Sequence, residues 1–184
     1  MSKLTSLHKR LIYAAVIVLG VVLDQLTKLL AVNHLKPIGS YPLWKGVFHL
    51  TYVENPGAAW GMLKEHPWVF MVFSTISILL LGVYLFIDRS YLSDKDESGK
   101  YPPLSLFSGI PLAMIVTGGI GNMIDRIGTR VIYDRGFVVD FLDFALIDFP
   151  VFNVADCFVT VGAVLLGISL CVPIIKEMKA KTKK

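Results

Sequence analysis

The chain has 184 residues, of which 54% are hydrophobic and only 17% are charged, and its mean hydropathy is +0.64. A soluble domain of this length carries more charge, so the composition excludes that class and indicates an integral membrane protein. The net charge of +4 is interpreted as a signal of topology and of contact with anionic membrane lipids, and no nucleic-acid binding is expected.

Four apolar stretches are long enough to cross a bilayer, which takes about 20 residues of helix. The predicted spans are residues 11–32, 68–87, 104–124 and 151–175. The outer loops are then residues 33–67 and 125–150, and a polar inner loop covers residues 88–103. This pattern predicts an all-α integral membrane fold with four transmembrane helices and a small extracytoplasmic β-rich region. We expect residues 1–184 to form a single membrane-embedded domain.

The first span is not interpreted as a removable signal peptide. It is too long, it contains Asp24 and Lys28, and no small-residue cleavage site follows it. Basic residues predict its direction: with the N-terminus inside, cytoplasmic segments hold eleven lysines and arginines and outer loops hold six. Because an excess of Lys and Arg marks cytoplasmic loops, we expect both termini in the cytoplasm.

The first outer loop has the pattern of a strand. Hydrophobic and polar residues alternate from Val47 to Val53, and Asn55-Pro56-Gly57 follows as a turn signal. We therefore predict a small sheet on the outer membrane surface. The second outer loop, from residue 126 to residue 150, has few helix signals and is predicted to be a loop that contains Asp140.

Polar residues of three spans fall at one predicted depth. A helix that enters the bilayer at Leu11 reaches Asp24 after about 20 Å of a core that is about 30 Å thick. The same arithmetic places the polar residues of the third and fourth spans at the same level. The residues expected in the outer third of the membrane are Asp24, Asn122, Asp125, Asn153 and Asp156. Inward-facing polar groups from three helices at one level predict a functional site.

Two carboxylates, Asp140 and Asp156, lie in strongly apolar sequence where membrane helices are expected to meet water. Neighbouring carboxyl groups push their pKa values apart, which lets one act as an acid and the other as a base. This is the chemistry of an aspartic protease. Asp140 and Asp156 are therefore the candidate catalytic residues.

Each polar group also has a purely structural interpretation. Asp24 and Lys28 are spaced i, i+4 in the order that favours an ion pair. The three glycines within residues 118–121 are typical of close helix packing. Asn153 has the position of an N-cap, with Asp156 in the first helical turn, where the helix dipole favours a negative charge. The weakness of the structural account is that it needs a separate explanation for each polar group, although all the groups fall at the same predicted depth.

Other catalytic classes fit the sequence poorly. It contains no His-Glu-x-x-His zinc motif, its four histidines are scattered, and it has no Gly-x-Ser-x-Gly, Walker or Rossmann motif. Cys157 and Cys171 lie about 21 Å apart along a helix, too far for a disulfide. We expect no metal and no organic cofactor.

Two other functions are compatible with ionisable groups in membrane helices. A small transporter or proton channel uses such groups along an ion path. It requires polar residues towards the cytoplasm, where all four predicted spans are almost purely apolar. A non-catalytic scaffold would use the carboxylates only to pair helices, and it gives no reason to place Asp140 between valines and phenylalanine in a loop.

Five motif blocks follow one another along the chain. They read DQLTK from Asp24, NPGAAWG from Asn55, GGIGNMIDR from Gly118, VDF from Val139 and FNVAD from Phe152. Their order resembles that of the lipoprotein signal peptidase (signal peptidase II) family. The resemblance implies a bacterial inner-membrane aspartic endopeptidase with its active site near the outer face. Its substrates would be prolipoproteins, cut just before a cysteine that carries diacylglycerol, in contact with membrane lipids.

Position by position, the resemblance makes Asp140 and Asp156 the catalytic dyad. It assigns supporting or substrate-binding roles to Asp24, Lys28, Asn55, Gly57, Asn122, Asp125, Arg126 and Asn153. The stretch from Ile127 to Phe137 is longer than the family's usual spacing, so its extra residues receive no role. We expect the outer loop with Trp60 to cover the bound peptide.

Overall fold

The computed structural model describes residues 5–57, 67–87 and 104–182. Its helices are α1 (Ser6–Leu30), which a wider π-helical turn extends over Ala31–Leu35, α2 (Pro67–Phe86), α3 (Leu106–Tyr133) and α4 (Val154–Thr182). Its strands are β1 (Ser40–Trp44), β2 (Phe48–Asn55) and β3 (Val138–Asp143), and a short 3-10 turn covers Ala145–Ile147. Trp60 and the predicted inner loop 88–103 lie outside the described residues.

Among the described residues, three helices are long and apolar enough to cross a membrane: Ser6–Leu35, Leu106–Tyr133 and, within α4, Val154–Val172. These three candidate membrane helices correspond to the spans predicted at residues 11–32, 104–124 and 151–175. The described apolar part of α2, Met71–Phe86, is shorter, about 24 Å long at 1.5 Å per residue against a bilayer core of about 30 Å. The span predicted at residues 68–87 therefore stays a prediction.

The third helix ends later than the sequence predicted. Hydropathy placed the end of the span at residue 124, yet α3 continues to Tyr133. Its total length of about 42 Å exceeds the apolar core of a bilayer. Hydropathy indicates where the apolar span ends, but it does not indicate where the helical backbone ends. The loop predicted from residue 125 was therefore wrong for its first part, which is helical up to Tyr133. The helix ends at Asp134, which has a left-handed φ of 54°.

Contacts between helix ends define the direction of the bundle. The start of α1 meets the start of α3, where the Tyr13 hydroxyl donates to the Leu104 carbonyl at 2.9 Å. The end of α1 meets the end of α3, where Lys28 Nζ lies 3.1 Å from Asp125 Oδ2, and the start of α4 contacts α1 there as well. Because α1 and α3 are parallel and α4 is antiparallel to both, the start of α1 and the end of α4 lie at one end of the bundle.

Small residues let α3 approach its neighbours closely. A methyl group added at Gly118 would collide with the Ala155 carbonyl of α4, and one added at Gly121 would collide with the Asp24 carboxylate of α1. The packing role predicted for these glycines is therefore confirmed. The close approach also brings the polar ends of three helices into contact.

The sheet covers this polar end in the antiparallel order β1-β2-β3. β2 confirms the strand predicted from the alternation after Val47. β3 was not predicted: Asp140 pairs with Val53, so it lies in a strand and the predicted loop was wrong here too. Its partner is far away in sequence, and strand formation depends on such neighbours more than on local propensity. The buried apolar cluster next to β3 consists of Ala31, Leu35, Phe137, Val139 and Phe141.

Candidate active site

Asp140 and Asp156 line the same cavity, which has a volume of about 860 Å³. Asp140 is supplied by β3 and is only 1% exposed, and Asp156 lies in the first turn of α4. Asn55, Asn122 and Arg126 also line this cavity. The two predicted catalytic carboxylates therefore reach one space, although they come from different elements of the fold.

One side chain, Asn153, bonds to both of these residues. Its amide nitrogen donates to Asp140 Oδ1 at 2.6 Å, and its amide oxygen accepts the Asp156 backbone N–H at 3.0 Å. Asp156 Oδ2 in turn accepts the Asn153 backbone N–H at 3.2 Å. This reciprocal pair is a capping box, so the predicted N-cap is confirmed. The same cap holds Asp156 in a fixed position relative to Asp140.

The second oxygen of Asp140 is bound from β2. Asn55 Nδ2 donates to Asp140 Oδ2 at 2.9 Å, and Asn55 Oδ1 accepts the Gly57 backbone N–H at 3.0 Å. The Gly57 carbonyl accepts a hydrogen bond from Arg126 Nη2 at 2.7 Å. This series of bonds connects the end of β2 to α3 along the cavity wall, and both oxygens of Asp140 are held.

The buried position of Asp140 changes its acidity. Removal from water disfavours the charged carboxylate and the negative charge of Asp156 adds to this effect, so the pKa of Asp140 is raised from 3.8 to about 7. Hydrogen bonds from Asn55 and Asn153 stabilise the carboxylate and oppose the rise in pKa. Asp140 is therefore partly protonated near neutral pH, whereas an ordinary aspartate is fully ionised there.

Asn122 orients Asp156 from α3. Asn122 Nδ2 donates to Asp156 Oδ1 at 2.8 Å. Asn122 Oδ1 accepts from Lys28 Nζ at 3.0 Å and from Asn153 Nδ2 at 3.1 Å. Because the ammonium group of Lys28 and the amide of Asn153 both donate to the oxygen of Asn122, the NH₂ group of Asn122 faces the carboxylate of Asp156.

A buried ion cluster lies next to the cavity. Lys28 Nζ lies 2.9 Å from Asp24 Oδ2 and 3.1 Å from Asp125 Oδ2, which confirms the predicted Asp24–Lys28 pair. Asp24 Oδ1 accepts the Ala155 N–H at 2.8 Å, and Asp125 Oδ2 accepts the Val139 N–H at 3.0 Å. Each of the two carboxylates therefore holds the backbone one residue before a candidate catalytic aspartate.

Direct hydrogen bonds and ion pairs connect all the residues that the sequence predicted for the site. The bonds from Asp140 lead to Asn55, Gly57 and Arg126 on one side, and through Asn153 to the Lys28 cluster on the other. The contacts establish where these side chains lie. Their catalytic and supporting roles stay predictions.

Sequence reasoning missed Gln25 as a member of the ion cluster. Its Nε2 lies 3.1 Å from Asp24 Oδ2, 3.0 Å from Asp125 Oδ1 and 3.2 Å from the Gly121 carbonyl. The only signal in the sequence is its place inside the DQLTK block, beside Asp24. Apart from this position, the sequence gives no indication of which groups a single glutamine in a helix will contact.

The stretch without an assigned role, from Ile127 to Phe137, is mostly a continuation of α3. Just after the helix, Arg135 Nη2 lies 3.4 Å from Glu54 Oε2. Lys36 Nζ lies 2.9 Å from Glu54 Oε1, and this hydrogen bond is the main cause of the lowered pKa of Glu54. Because Glu54 lines the cavity, the stretch contributes a cation to its rim.

The part of the chain that the structure describes contains no group of three or more His, Cys, Asp or Glu side chains that could hold a metal ion. The aspartates near the cavity instead contact amides, backbone N–H groups and Lys28. The predicted independence from metals stays a prediction to be tested with a chelator.

Comparison with known proteins gives a consistent family. Residues 16–172 match the family model of signal peptidase (SPase) II. The lipoprotein signal peptidase of Caldanaerobacter subterraneus subsp. tengcongensis is 49% identical over 156 residues, which are 84% of this chain and 92% of that protein. The lipoprotein signal peptidase of Clostridioides difficile is 37% identical over 158 residues, which are 86% of this chain and 93% of that protein.

Two solved structures share the fold, and both are described as bacterial membrane enzymes studied by the in meso method. The one at 2.3 Å resolution has a TM-score of 0.67 and 30% identity, covering 94% of this chain and 92% of that chain. The one at 1.9 Å resolution has a TM-score of 0.65 and 33% identity, covering 86% and 91%. With its apolar helices, this similarity indicates a multi-pass membrane protein. The chain belongs to the signal peptidase II family, the membrane proteases that process lipoproteins.

Proposed function

We propose that this chain is an aspartic endopeptidase that uses Asp140 and Asp156 to remove signal peptides from prolipoproteins, cutting just before the cysteine that carries diacylglycerol. The observation that supports this most is that both residues line one cavity and bond to the same Asn153. An aspartic mechanism requires two carboxyl groups that share one proton. A single capping side chain that bonds to both is a simple way to keep them at a constant separation.

The surroundings of the two carboxyl groups divide their roles. The pKa of Asp140, raised to about 7 by burial and by the charge of Asp156, favours Asp140 as the proton carrier. Asp156 lies in the first turn of α4, where backbone N–H groups and the helix dipole stabilise a negative charge. We therefore assign the acid to Asp140 and the base to Asp156.

The proposed reaction is hydrolysis by an activated water molecule. Ionised Asp156 removes a proton from the water, and the water oxygen attacks the carbonyl carbon of the scissile peptide. Protonated Asp140 donates a hydrogen bond to the carbonyl oxygen, where negative charge develops. When the C–N bond breaks, the amine leaves with a proton from the carboxyl pair, which ends the cycle with the one proton it began with.

The apolar part of the cavity wall suits the lipid of the substrate. It is formed by α4 and the segment before it, including Phe149, Val159 and Val161. Burial of each CH₂ group of an acyl chain contributes about 0.8 kcal/mol. Such contacts would hold the lipidated cysteine, and the peptide bond before it, at the level of Asp140 and Asp156, which is catalysis by positioning.

The proposed location is the bacterial inner membrane, with both termini in the cytoplasm and the cavity near the outer face. The excess of basic residues in the inner segments supports this orientation. The start of α1 and the end of α4 also lie at the end of the bundle opposite the cavity, which is consistent with this orientation. A reporter fused after Lys184 should therefore behave as cytoplasmic, and an external C-terminus would contradict the proposal.

An ion or proton path, the main alternative, would need polar groups along the whole bundle. Among the described residues, the buried side chains with polar groups away from the cavity are Tyr13, Thr117 and Ser169. The Tyr13 hydroxyl donates to the Leu104 carbonyl at 2.9 Å, and the other two hydroxyls donate to carbonyls of their own helices at 2.8 Å. The buried charges are thus confined to one end of the described bundle, which favours a site over a path.

The test is cleavage of a synthetic prolipoprotein peptide by purified protein in detergent micelles, with the products identified by mass spectrometry. The diacylglyceryl peptide is compared with the same peptide without lipid. We expect cleavage before the lipidated cysteine, much slower cleavage of the unlipidated peptide, and no effect of a chelator. Absence of cleavage by folded protein would contradict the proposed function. Equal cleavage of both peptides would contradict lipid recognition, and zinc-restorable loss with a chelator would contradict the aspartic mechanism.

A further inference from the structure

The strand that carries Asp140 lies at the edge of the sheet. Among the described strands, β3 pairs with β2 alone, and on its other side an isolated bridge joins Leu142 to Phe152. Its other side presents backbone N–H groups that β2 does not bind. A buried N–H without an acceptor destabilises the folded protein, so these groups require acceptors from outside the sheet.

Three alternate N–H groups, those of Phe137 just before β3 and of Val139 and Phe141 within it, each find such an acceptor. The bonds run from Phe137 N–H to Thr129 Oγ1 at 2.8 Å, from Val139 N–H to Asp125 Oδ2 at 3.0 Å, and from Phe141 N–H to the Phe152 carbonyl at 3.0 Å. The first two acceptors are side chains one turn apart on α3. The third is the residue before the N-cap of α4. The edge of β3 is therefore attached to both helices that form the cavity.

Thr129 is the acceptor that lies in the stretch without an assigned role. Besides accepting the Phe137 N–H, its hydroxyl lies 2.9 Å from the Phe137 carbonyl and 2.7 Å from the Asp125 carbonyl. One hydroxyl therefore contacts both polar backbone groups of Phe137. That residue is 5% exposed and lies three positions before Asp140.

We propose that Thr129 is a positioning residue for Asp140; the inference rests on the proposed catalytic role of Asp140. Beyond Arg126, α3 continues to Tyr133 and the chain turns at Asp134 before it enters β3. The returning chain must enter in one register, because a shift of one residue would turn Asp140 to the opposite face of the sheet. Thr129 fixes the register at Phe137, where the chain enters β3. Asp125, one helical turn earlier on α3, fixes it again at Val139.

The test compares two substitutions in the cleavage assay with the lipidated peptide. Thr129→Val keeps the branched shape and removes the hydroxyl. We expect kcat to fall at least about 10-fold and KM to change less than about 2-fold, because the acid is displaced while the substrate-binding walls are kept. Thr129→Ser restores the hydroxyl and should return kcat to within about 3-fold of the original value.

Thr75→Val is the matched control. Thr75 makes the same kind of bond to a carbonyl of its own helix, Met71, at 2.7 Å, but it lies on α2 and its other contact is Met123 Sδ. This substitution should leave kcat unchanged. An equal loss of kcat in Thr75→Val would show a general effect of removing helix hydroxyls and would overturn the inference.

Amide hydrogen exchange at Phe137 and Val139 provides a measurement that does not depend on turnover. We expect faster exchange in Thr129→Val than in the original protein or in Thr129→Ser. Unchanged exchange and kcat in Thr129→Val, or failure of Thr129→Ser to restore kcat, would overturn the inference. If Thr129→Val does not fold, Thr129→Ala is compared with Thr129→Ser under the same criteria. A protein that cleaves nothing in its original form would refute the proposed function, while exchange would still decide whether Thr129 holds β3.

Discussion

The two ends of the helix bundle are built in opposite ways. At the end where α1 begins, the buried cluster is apolar and consists of Tyr13, Leu85, Leu112 and Ala113. At the other end, Lys28 is buried between Asp24 and Asp125. Apolar packing is non-directional and tolerates similar replacements, whereas buried charges are costly unless every member is paired.

This difference indicates what each end is for. The apolar cluster holds the helices together, and many combinations of side chains would do the same. In the polar end, each bond selects one atom: Asp24 holds the Ala155 N–H and Asp125 holds the Val139 N–H. The polar end therefore specifies where the two candidate catalytic residues lie, at a cost in stability that is common at functional sites.

The largest effect is expected from substitutions that remove a carboxyl group of the polar end and replace it with an amide of similar shape. Asp140→Asn and Asp156→Asn should each lower kcat at least about 1,000-fold, because an amide cannot exchange the proton. Both variants should still elute as folded protein in size-exclusion chromatography.

Asp143→Asn is the control for this pair of substitutions. Asp143 ends the same strand, and it accepts a hydrogen bond from Thr51 at 2.7 Å. We expect this variant to retain near-normal kcat. Folded Asp140→Asn or Asp156→Asn with near-normal cleavage would remove that residue from the dyad.

The next largest effect distinguishes the two ends of the bundle by whether a substitution lowers stability alone or both stability and kcat. Asp24→Asn should destabilise the protein by about 3–5 kcal/mol, because it leaves Lys28 with one charged partner fewer in a buried position. Since the same carboxylate holds the start of α4, kcat of the folded fraction should fall as well. Reversible unfolding in mixed micelles, with kcat corrected for the folded fraction, measures both quantities.

Leu112→Ala is the counterpart at the apolar end. It should cost about 2–5 kcal/mol of stability by leaving a cavity while kcat of the folded fraction stays unchanged. If both variants lowered kcat equally, the proposed division between the two ends would be wrong.

The sequence predicted which polar residues lie together better than it predicted the backbone that holds them. Polar and charged residues in apolar membrane helices often mark a functional site, so Asp24, Asn122 and Asp156 could be grouped by their predicted depth. The strand position of Asp140 was not predictable, because it depends on pairing with the distant Val53. The end of α3 was also missed, since a left-handed Asp134 terminates the helix where a glycine would have been the usual signal.

Gln25 and Thr129 show a second limit of sequence reasoning. Both are polar residues on helices. Gln25 contacts the carbonyl of Gly121, which is 96 residues away in sequence, and Thr129 contacts Phe137 across the turn that follows α3. Charge in an apolar run attracts attention because burial of a charge is costly. A neutral amide or hydroxyl is compatible with many positions, so its partners become visible only in three dimensions.

A smaller effect comes from pH and tests the acid at the polar end. The pKa of Asp140 is about 7, so kcat should fall as pH rises above about 7, approaching 10-fold per pH unit, because the acid loses its proton. Between pH 3.8 and about 7 the folded state keeps a proton that the unfolded chain has lost. The stability associated with this group is therefore fully present below that range and is lost as pH rises through it.

Two pH profiles check this expectation, one of kcat for the original protein and one of the midpoint of thermal unfolding. Asp140→Asn should flatten the decline in unfolding midpoint between pH 4 and pH 7 that Asp140 causes. A kcat profile that keeps rising to pH 9 would show that Asp140 does not act as the acid.

The smallest effect is expected from Arg135→Gln, which tests whether the rim of the cavity belongs to the buried polar network. Arg135 is 70% exposed and lies 3.4 Å from Glu54, which keeps its closer partner Lys36 at 2.9 Å. Exposed ion pairs contribute about 0–1 kcal/mol, so Arg135→Gln should change the free energy of unfolding by less than about 0.5 kcal/mol and leave kcat unchanged. The same unfolding and cleavage assays detect any larger change. A loss as large as that of Asp24→Asn would mean that the rim of the cavity belongs to the buried network, and that the polar end extends to the surface.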